Sequence, residues 1–143
     1  MRLAFTTLAC PAWTFEQVAE AAGRYGYEGL ELRLLDGDVI TPGLSAEQQA
    51  RIRRVSDDAG LVLCCLDTSL KVADPAASLD EGYAFLELAA ALGIPLIRVF
   101  GGAPADEPLD TAAGRAGERL AALAERARAA GVKVALETHD TFA

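Results

Sequence analysis

The sequence predicts an α/β fold of the (β/α)8-barrel type, with about half a barrel present. Short apolar runs rich in β-branched residues alternate with segments of helical periodicity, and the runs begin near Leu3, Gly29, Leu61, Leu96 and Val132. Strands that alternate with helices of this length pair in parallel through crossover connections. The strand starts are 26, 32, 35 and 36 residues apart, close to the ~31 residues per unit expected from eight units in ~250 residues.

This spacing predicts four strand–helix units and a fifth strand, in a single partial barrel domain at residues 1–143. The arithmetic favours a fragment of a longer barrel. The alternative is an open five-stranded sheet of the flavodoxin type, which would leave its last strand without a covering helix. A dinucleotide-binding sheet is disfavoured, because no strand is followed by G-x-G-x-x-G.

The four predicted helices have recognisable start and stop signals. They lie at about residues 14–25, 45–59, 78–92 and 111–130. Capping-box spacing occurs at Thr14 and Gln17, at Ser45 and Gln48, and at Ser78 and Glu81, and Asp110 can cap the fourth helix. Left-handed glycines are expected where the helices end, at Gly26, Gly60, Gly93 and Gly131.

Composition indicates which partners are disfavoured and in which cellular compartment the protein is expected. Thirteen Lys and Arg against twenty-one Asp and Glu give a net charge of −8, which disfavours nucleic acid and anionic membrane surfaces as partners. No apolar run approaches the roughly 18 residues that span a bilayer. The three cysteines are Cys10, Cys64 and Cys65. Such a sparse, odd number suits a reducing interior, and we expect a cytoplasmic protein.

Polar side chains interrupt strands that otherwise look buried. Within each strand they share one face, opposite the apolar residues, and they fall mostly towards the carboxyl ends: Glu31, Arg33, Arg98, Glu137 and His139. Barrel enzymes build their active sites at these ends. A structural ion-pair network among Glu31, Arg33 and Arg98 is the alternative interpretation.

Glu137 and His139 are the strongest candidates for chemistry. They lie two residues apart at a strand end, so both side chains are expected to face one cavity. A carboxylate there can bind a divalent cation or move a proton, and a histidine adds a group that titrates near neutral pH.

Three segments together resemble the xylose-isomerase-like TIM barrels, a superfamily of sugar-phosphate isomerases and epimerases with the related endonuclease IV group. The segments are Gly29-Leu-Glu-Leu-Arg33, Arg98-Val-Phe-Gly-Gly102 and Glu137-Thr-His-Asp140. The likeness extends over the whole chain but covers only the amino-terminal half of such a protein.

The resemblance implies roles for individual residues. Glu137 matches one of four ligands to a catalytic divalent metal (Mn, Mg, Co or Zn), and this ligand also acts as an acid or base. His139 matches a residue that lines the substrate pocket, and Glu31 and Arg98 match pocket-facing positions. In the family the other ligands, a Glu, an Asp and a His, come from strands six to eight.

Further candidates come from loops and strand ends. Trp13 follows the first strand and can stack on a sugar ring or pack before the first helix. Asp67 and Lys71 are expected to be solvated loop charges, and Cys64 and Cys65 to be core residues.

The expected function is a metal-dependent sugar or sugar-phosphate isomerase or epimerase that transfers protons through an enediolate. It is expected of the complete barrel, with the isolated chain inactive. Substrate contacts are expected from Trp13, Glu31, Arg33, Arg98 and His139. One alternative is a non-catalytic half-barrel that self-associates, and a homo-oligomer is expected in either case. A second is an abasic-site phosphodiesterase like endonuclease IV, disfavoured by the −8 charge and the single histidine.

Overall fold

A five-stranded parallel sheet forms the centre of the protein, in a computed structural model that describes residues 2–102 and 106–139. Its strands are β1 (Ala4–Thr6), β2 (Gly29–Leu32), β5 (Val62–Lys71), β6 (Leu96–Phe100) and β7 (Lys133–Glu137). A short antiparallel hairpin, β3 (Leu34–Leu35) and β4 (Asp38–Val39), follows β2. The order across the sheet is β1-β2-β5-β6-β7, and every pairing is parallel.

Four helices cover one side of this sheet. They are α1 (Phe15–Tyr25), α2 (Ala46–Asp58), α3 (Leu79–Leu92) and α4 (Leu109–Ala130), and each packs against the next along the chain. A flavodoxin-type sheet reverses its strand order and places helices on both faces. The sequential order and the single helical layer therefore exclude that alternative and confirm a partial (β/α) barrel. In the described part of the chain, no helix is long and apolar enough to cross a membrane.

Two of the predicted capping boxes and all four glycine stops are confirmed. The two boxes are Thr14 with Gln17 and Ser45 with Gln48. In each, the hydroxyl accepts a hydrogen bond from the backbone N–H of the glutamine, and the glutamine side chain accepts one from the backbone N–H of the Thr or Ser. The glycines all have positive φ: 75° at Gly26, 66° at Gly60, 70° at Gly93 and 70° at Gly131. Local side-chain chemistry therefore sets most of the helix boundaries.

The other two capping predictions are wrong. Ser78 accepts a hydrogen bond from the backbone N–H of Asp80 rather than that of Glu81, so no capping box forms at α3. Asp110 does not cap α4, because that helix begins directly after Pro108 and Asp110 lies in its first turn. An acidic residue in a first turn still interacts favourably with the helix dipole.

The hydrophobic core lies between the sheet and the helices. Alternate strand residues point into it, and each helix contributes an apolar side chain; the fully buried members include Leu30, Leu66, Ile97 and Val99 from the strands and Phe15, Ile52, Phe85 and Leu123 from the helices. Because the helices occupy this face, the residues between those strand positions point to the opposite face, the barrel interior.

A β-bulge in β5 decides which of its residues reach the interior face. Leu30 pairs with Leu63, whereas the next residue, Glu31, pairs with Cys65, so Cys64 is the extra residue. The Cys64 thiol donates to the carbonyl oxygen of Leu30 at 3.2 Å. The bulge moves Cys65 and the residues two apart from it onto the same face as Glu31.

We predict opposite effects for two helical glycines. In Gly82→Ala on α3 the new Cβ would lie 2.6 Å from Cδ2 of the fully buried Leu123, and overpacking should lower the unfolding free energy by about 1 kcal/mol. In Gly117→Ala on α4 the Cβ meets no atom within 4 Å, so the gain in helix propensity should raise stability by about 0.5–1 kcal/mol. Urea denaturation measures both. Equal stabilisation by the two substitutions would show that α3 and α4 do not pack as described.

Candidate functional site

Charged side chains from four adjacent strands meet on the interior face, near the carboxyl ends. Glu31 is on β2, Asp67 on β5, Arg98 on β6 and Glu137 on β7. The strand register brings them together, because Asp67 is paired directly with Arg98 and Glu137 with the residue two beyond Arg98. We call these four residues the interior cluster.

The Arg98 guanidinium bridges two carboxylates of the interior cluster, those of Asp67 and Glu137. Its Nη2 lies 3.2 Å from Oδ2 of Asp67, and its Nε lies 3.0 Å from Oε2 of Glu137. A third hydrogen bond runs from Nη1 to the carbonyl oxygen of Thr68 at 3.0 Å. Its side chain is only 14% exposed. The planar guanidinium therefore fixes the position of Glu137 relative to β5.

Asp67 is a buried member of this network, so the expectation of a solvated loop charge is wrong for this residue. It lies within β5, and its side chain is 3% exposed. Besides Arg98, it accepts a hydrogen bond from the Cys65 thiol, with 3.4 Å between Sγ and Oδ1. Burial, and then the negative charge of Asp67, raises the pKa of Cys65. A thiol held protonated in this way is a poor nucleophile. Cys65 is buried, as expected, but on the interior face rather than in the core between the sheet and the helices.

Glu31 completes the cluster beside Asp67. The interaction of its carboxyl group with that of Asp67 is the largest cause of a raised Glu31 pKa, about 7, followed by desolvation and the charge of Asp67. Arg98 opposes the shift and Glu137 adds to it. A carboxyl with this pKa is about half protonated at neutral pH, unlike an ordinary glutamate.

An aromatic contact connects the cluster to His139. The guanidinium carbon of Arg98 lies 3.9 Å from the centre of the Phe100 ring, and the His139 ring meets the same Phe100 ring edge-on, with 5.5 Å between centroids. Glu137 and His139 thus both lie beside the group formed by Arg98 and Phe100. Asp140, the last residue of the segment in the predicted resemblance, falls outside the described residues.

The alternative interpretation predicts an ion-pair network among Glu31, Arg33 and Arg98. The two arginines do make polar contacts, but not with Glu31. Among the described residues, Arg98 pairs with Asp67 and Glu137, and no ion pair joins Glu31 to an arginine. Arg33 instead donates through Nη1 to Oγ of Ser69 at 3.0 Å and to the carbonyl oxygen of Asp67 at 3.4 Å. Arg33 therefore lines the edge of the cluster next to β5.

Trp13 and Lys71 are not part of these contacts. Trp13 lines a surface cavity with residues of α1, including Gln17, Glu20 and Arg24, and the residue is 38% exposed. Lys71 is exposed at the end of β5, as expected of a solvated charge.

The described residues do not by themselves fit a divalent metal. Catalytic metal sites in proteins use about three protein ligands, and no group of three or more His, Cys, Asp or Glu in residues 2–102 and 106–139 could hold an ion. Glu137 supplies one carboxylate, with one oxygen on Arg98. Any metal bound there would need ligands from outside the described residues.

Comparison of the sequence with models of known protein families identifies the family of this chain. Residues 19–143 match the family model described as xylose isomerase-like TIM barrel, so the chain belongs to that family. This confirms the predicted resemblance. No curated protein matches the sequence significantly.

Solved structures of similar fold include two sugar epimerases. A 3-keto-D-glucoside 4-epimerase from E. coli is 16% identical over 98% of this chain and 57% of that chain, with a TM-score of 0.78. A D-psicose 3-epimerase in the presence of D-fructose is 18% identical over 99% and 54%, with a TM-score of 0.74. The IolI protein with a bound zinc atom is 16% identical over 95% and 51%, with a TM-score of 0.79. The chain spans about half the length of each, and at these identities the likeness shows the fold alone.

We predict that the Asp67–Arg98 pair contributes far more to stability than an exposed pair. Asp67→Ala leaves Arg98 half-paired in a buried site and should lower the unfolding free energy by about 2–4 kcal/mol. Glu87→Ala is the control, because its pair with Arg126 is 65% and 56% exposed and should change stability by at most ~0.5 kcal/mol. Urea denaturation at pH 7 compares them. Equal losses would refute a buried network at the strand ends.

Proposed function

We propose that the interior cluster is the amino-terminal half of the active site of a metal-dependent isomerase or epimerase acting on a sugar or sugar phosphate. The observation that carries this proposal is the meeting of Glu31, Asp67, Arg98 and Glu137 at the carboxyl ends of four parallel strands. Folded barrels place catalytic groups at that end, contributed by several different strands.

In this proposal Glu137 accepts the proton from the carbon next to the sugar carbonyl. Arg98 holds Oε2 of Glu137, and no hydrogen bond to Oε1 is found within the described ranges, so Oε1 is available to the substrate. The exposed His139 and the half-buried Arg33 supply donors for sugar hydroxyl groups at the sides of the cluster. Removal of a proton next to a carbonyl is the step shared by isomerases and epimerases of sugars.

A divalent metal enters the proposal as a site to which Glu137 contributes one ligand. Such an ion would polarise the oxygens of the substrate. The solved IolI structure with bound zinc supports metal binding on this fold. The remaining ligands would have to come from outside the described residues.

Sugar substrates are favoured over DNA by the charge of the chain. A net charge of −8 opposes approach to a phosphate backbone, and two of the similar structures are sugar epimerases by name. We also propose a cytoplasmic location, which is supported by three free cysteines, two of them adjacent in sequence.

We predict that a complete barrel containing this chain catalyses exchange of the hydrogens next to the ketose carbonyl. The measurement is loss of the C1 and C3 proton signals of D-fructose in D2O with Mn²⁺, followed by ¹H NMR. Glu137→Gln removes the proton acceptor and should slow exchange by about 100-fold or more. Glu125→Gln, on the exposed side of α4, is the control and should exchange at the wild-type rate. Exchange that survives Glu137→Gln would refute the role of Glu137. The isolated 143-residue chain, which is expected to be inactive, is the negative control.

A second candidate function is self-association without catalysis. Within the described residues β1 pairs only with β2 and β7 only with β6, so each keeps one row of backbone groups for another strand. Native mass spectrometry of the 143-residue chain with Mn²⁺ separates the two candidates. A dimer that holds metal and loses it on Glu137→Gln supports a shared metal site, whereas a dimer that takes up no metal supports association alone.

A further inference from the structure

Hydrogen bonds fix the backbone just after β2, where Arg33 lies. The Arg33 N–H donates to Oγ1 of Thr7 at 3.0 Å, and the Arg33 carbonyl oxygen accepts from the N–H of Ile40 at 3.0 Å. The buried Thr7 hydroxyl also accepts from the N–H of Leu34 at 2.7 Å. The Arg33 side chain therefore starts from a preorganised backbone, which reduces the entropy cost of binding a ligand there.

The Arg33 guanidinium makes its own hydrogen bonds to neutral acceptors. Its Nη1 donates to Oγ of Ser69 at 3.0 Å and to the carbonyl oxygen of Asp67 at 3.4 Å. Within residues 2–102 and 106–139, no Asp or Glu lies at ion-pair distance from Arg33, and Nε and Nη2 of Arg33 donate to no acceptor. Contacts with β5 thus hold one edge of the guanidinium, and in this part of the chain the other edge has no protein acceptor.

The charges nearest to Arg33 neutralise each other rather than Arg33. They are the cation Arg98 and the anion Asp67, and these two form an ion pair at 3.2 Å. Burial, followed by the charge of Arg98, holds the pKa of Arg33 below its ordinary value, and Asp67 opposes this shift. The half-buried positive charge of Arg33 is therefore uncompensated by the described residues, and an anion placed beside it would be stabilised.

A second cation, Lys71, lies at the same edge of the interior face. It follows Ser69 by two residues on β5, and both residues line a cavity of about 160 Å³. Asp74 and Glu81 also line this cavity but do not come within ion-pair distance of Lys71. These two carboxylates weaken the field of the exposed lysine, so Arg33 is the stronger site for an anion.

We propose that Arg33 binds an oxyanion of the substrate, a carboxylate or a phosphate, and so selects anionic sugars over neutral ones. Nε and Nη2 of a guanidinium are parallel donors that match two oxygens of such a group. The inference rests on the proposed function and deepens it, since it specifies the acceptor that Arg33 meets and the class of sugar that the active site takes.

The position of Arg33 indicates which end of the sugar carries the oxyanion. Arg33 follows β2 and Glu137 ends β7, so β5 and β6 lie between them. Neighbouring strands are about 4.8 Å apart, which separates the two backbone positions by about 14 Å along the sheet. The oxyanion therefore lies at the end remote from the carbons that exchange hydrogen. A contact there is the same before and during proton transfer, so it lowers KM and leaves kcat unchanged.

The first test is binding by the 143-residue chain, because every contact that holds Arg33 comes from this chain. Arginine Nε–Hε signals are followed by ¹H–¹⁵N NMR, and the Arg33 signal is the one missing from Arg33→Gln. We expect this signal to shift with D-fructose 6-phosphate, with D-fructuronate or with both, and not with D-fructose. The two anions distinguish phosphate from carboxylate. Arg54→Gln, an exposed arginine of α2, is the control and should leave the shift unchanged. An Arg33 signal that responds to neither anion would overturn the inference.

The second test is hydrogen exchange by a complete barrel that contains this chain. Arg33→Gln should raise the KM of the anionic sugar about tenfold or more, because a charge-assisted contact is lost. The kcat and the KM of D-fructose should stay unchanged, and Arg33→Lys, which keeps the charge, should recover part of the loss. An equal rise in the KM of D-fructose would show a structural role for Arg33 and contradict anion binding.

The two tests separate this inference from the proposed function. A wild-type barrel that exchanges D-fructose at least as efficiently as both anionic sugars overturns the role of Arg33 and leaves the proposed function standing. Conversely, a barrel that exchanges none of the three sugars overturns the proposed function. The oxyanion site then stands if the Arg33 signal of the chain shifts with either anion.

Discussion

The contact between Arg98 and two carboxylates is the interaction on which the interior face depends. Arg98 is nearly buried and joins β5 and β7 through Asp67 and Glu137. A buried charge without a partner is strongly destabilising, so the buried Asp67 and Arg98 depend on each other, while Glu137, 40% exposed, takes its position from Arg98. The network consequently ties the positions of three strand ends to one another, and Glu137 is held where four strands converge.

The bulge in β5 is the backbone feature that makes this network possible. In strict alternation Asp67 would share a face with Leu63, which points into the core. The extra residue, Cys64, exchanges the two faces beyond it and turns Asp67 towards Glu31 and Arg98. Because no glycine or proline marks the bulge in the sequence, regular alternation gives the wrong environment for Asp67. The interior cluster could thus be predicted only in part: Glu31, Arg98 and Glu137 follow from alternation, and their buried partner does not.

The fold was more predictable than the site because its signals are local. Hydrophobic periodicity and left-handed glycines depend on a few neighbouring residues, and the five strand starts and the helix bounds lie within about two residues of their predicted positions, whereas β5 continues past its predicted end to Lys71. The missed β3–β4 hairpin turns at Asp36 and Gly37, with φ of 55° and 92°. Asp36 tolerates this conformation where it accepts from the Phe15 N–H, a contact 21 residues away that no local pattern reveals.

The charges on the interior face explain why the pKa of Glu31 is raised. Asp67 and Glu137 share the cation Arg98, and Arg33 lies at the edge of the cluster beside β5. Ionising Glu31 would add a third negative charge to a half-buried region whose nearest cation already has two carboxylate partners. The raised Glu31 pKa is therefore the consequence of the acidic groups that surround it, with Asp67 the largest influence and Arg98 opposing the shift.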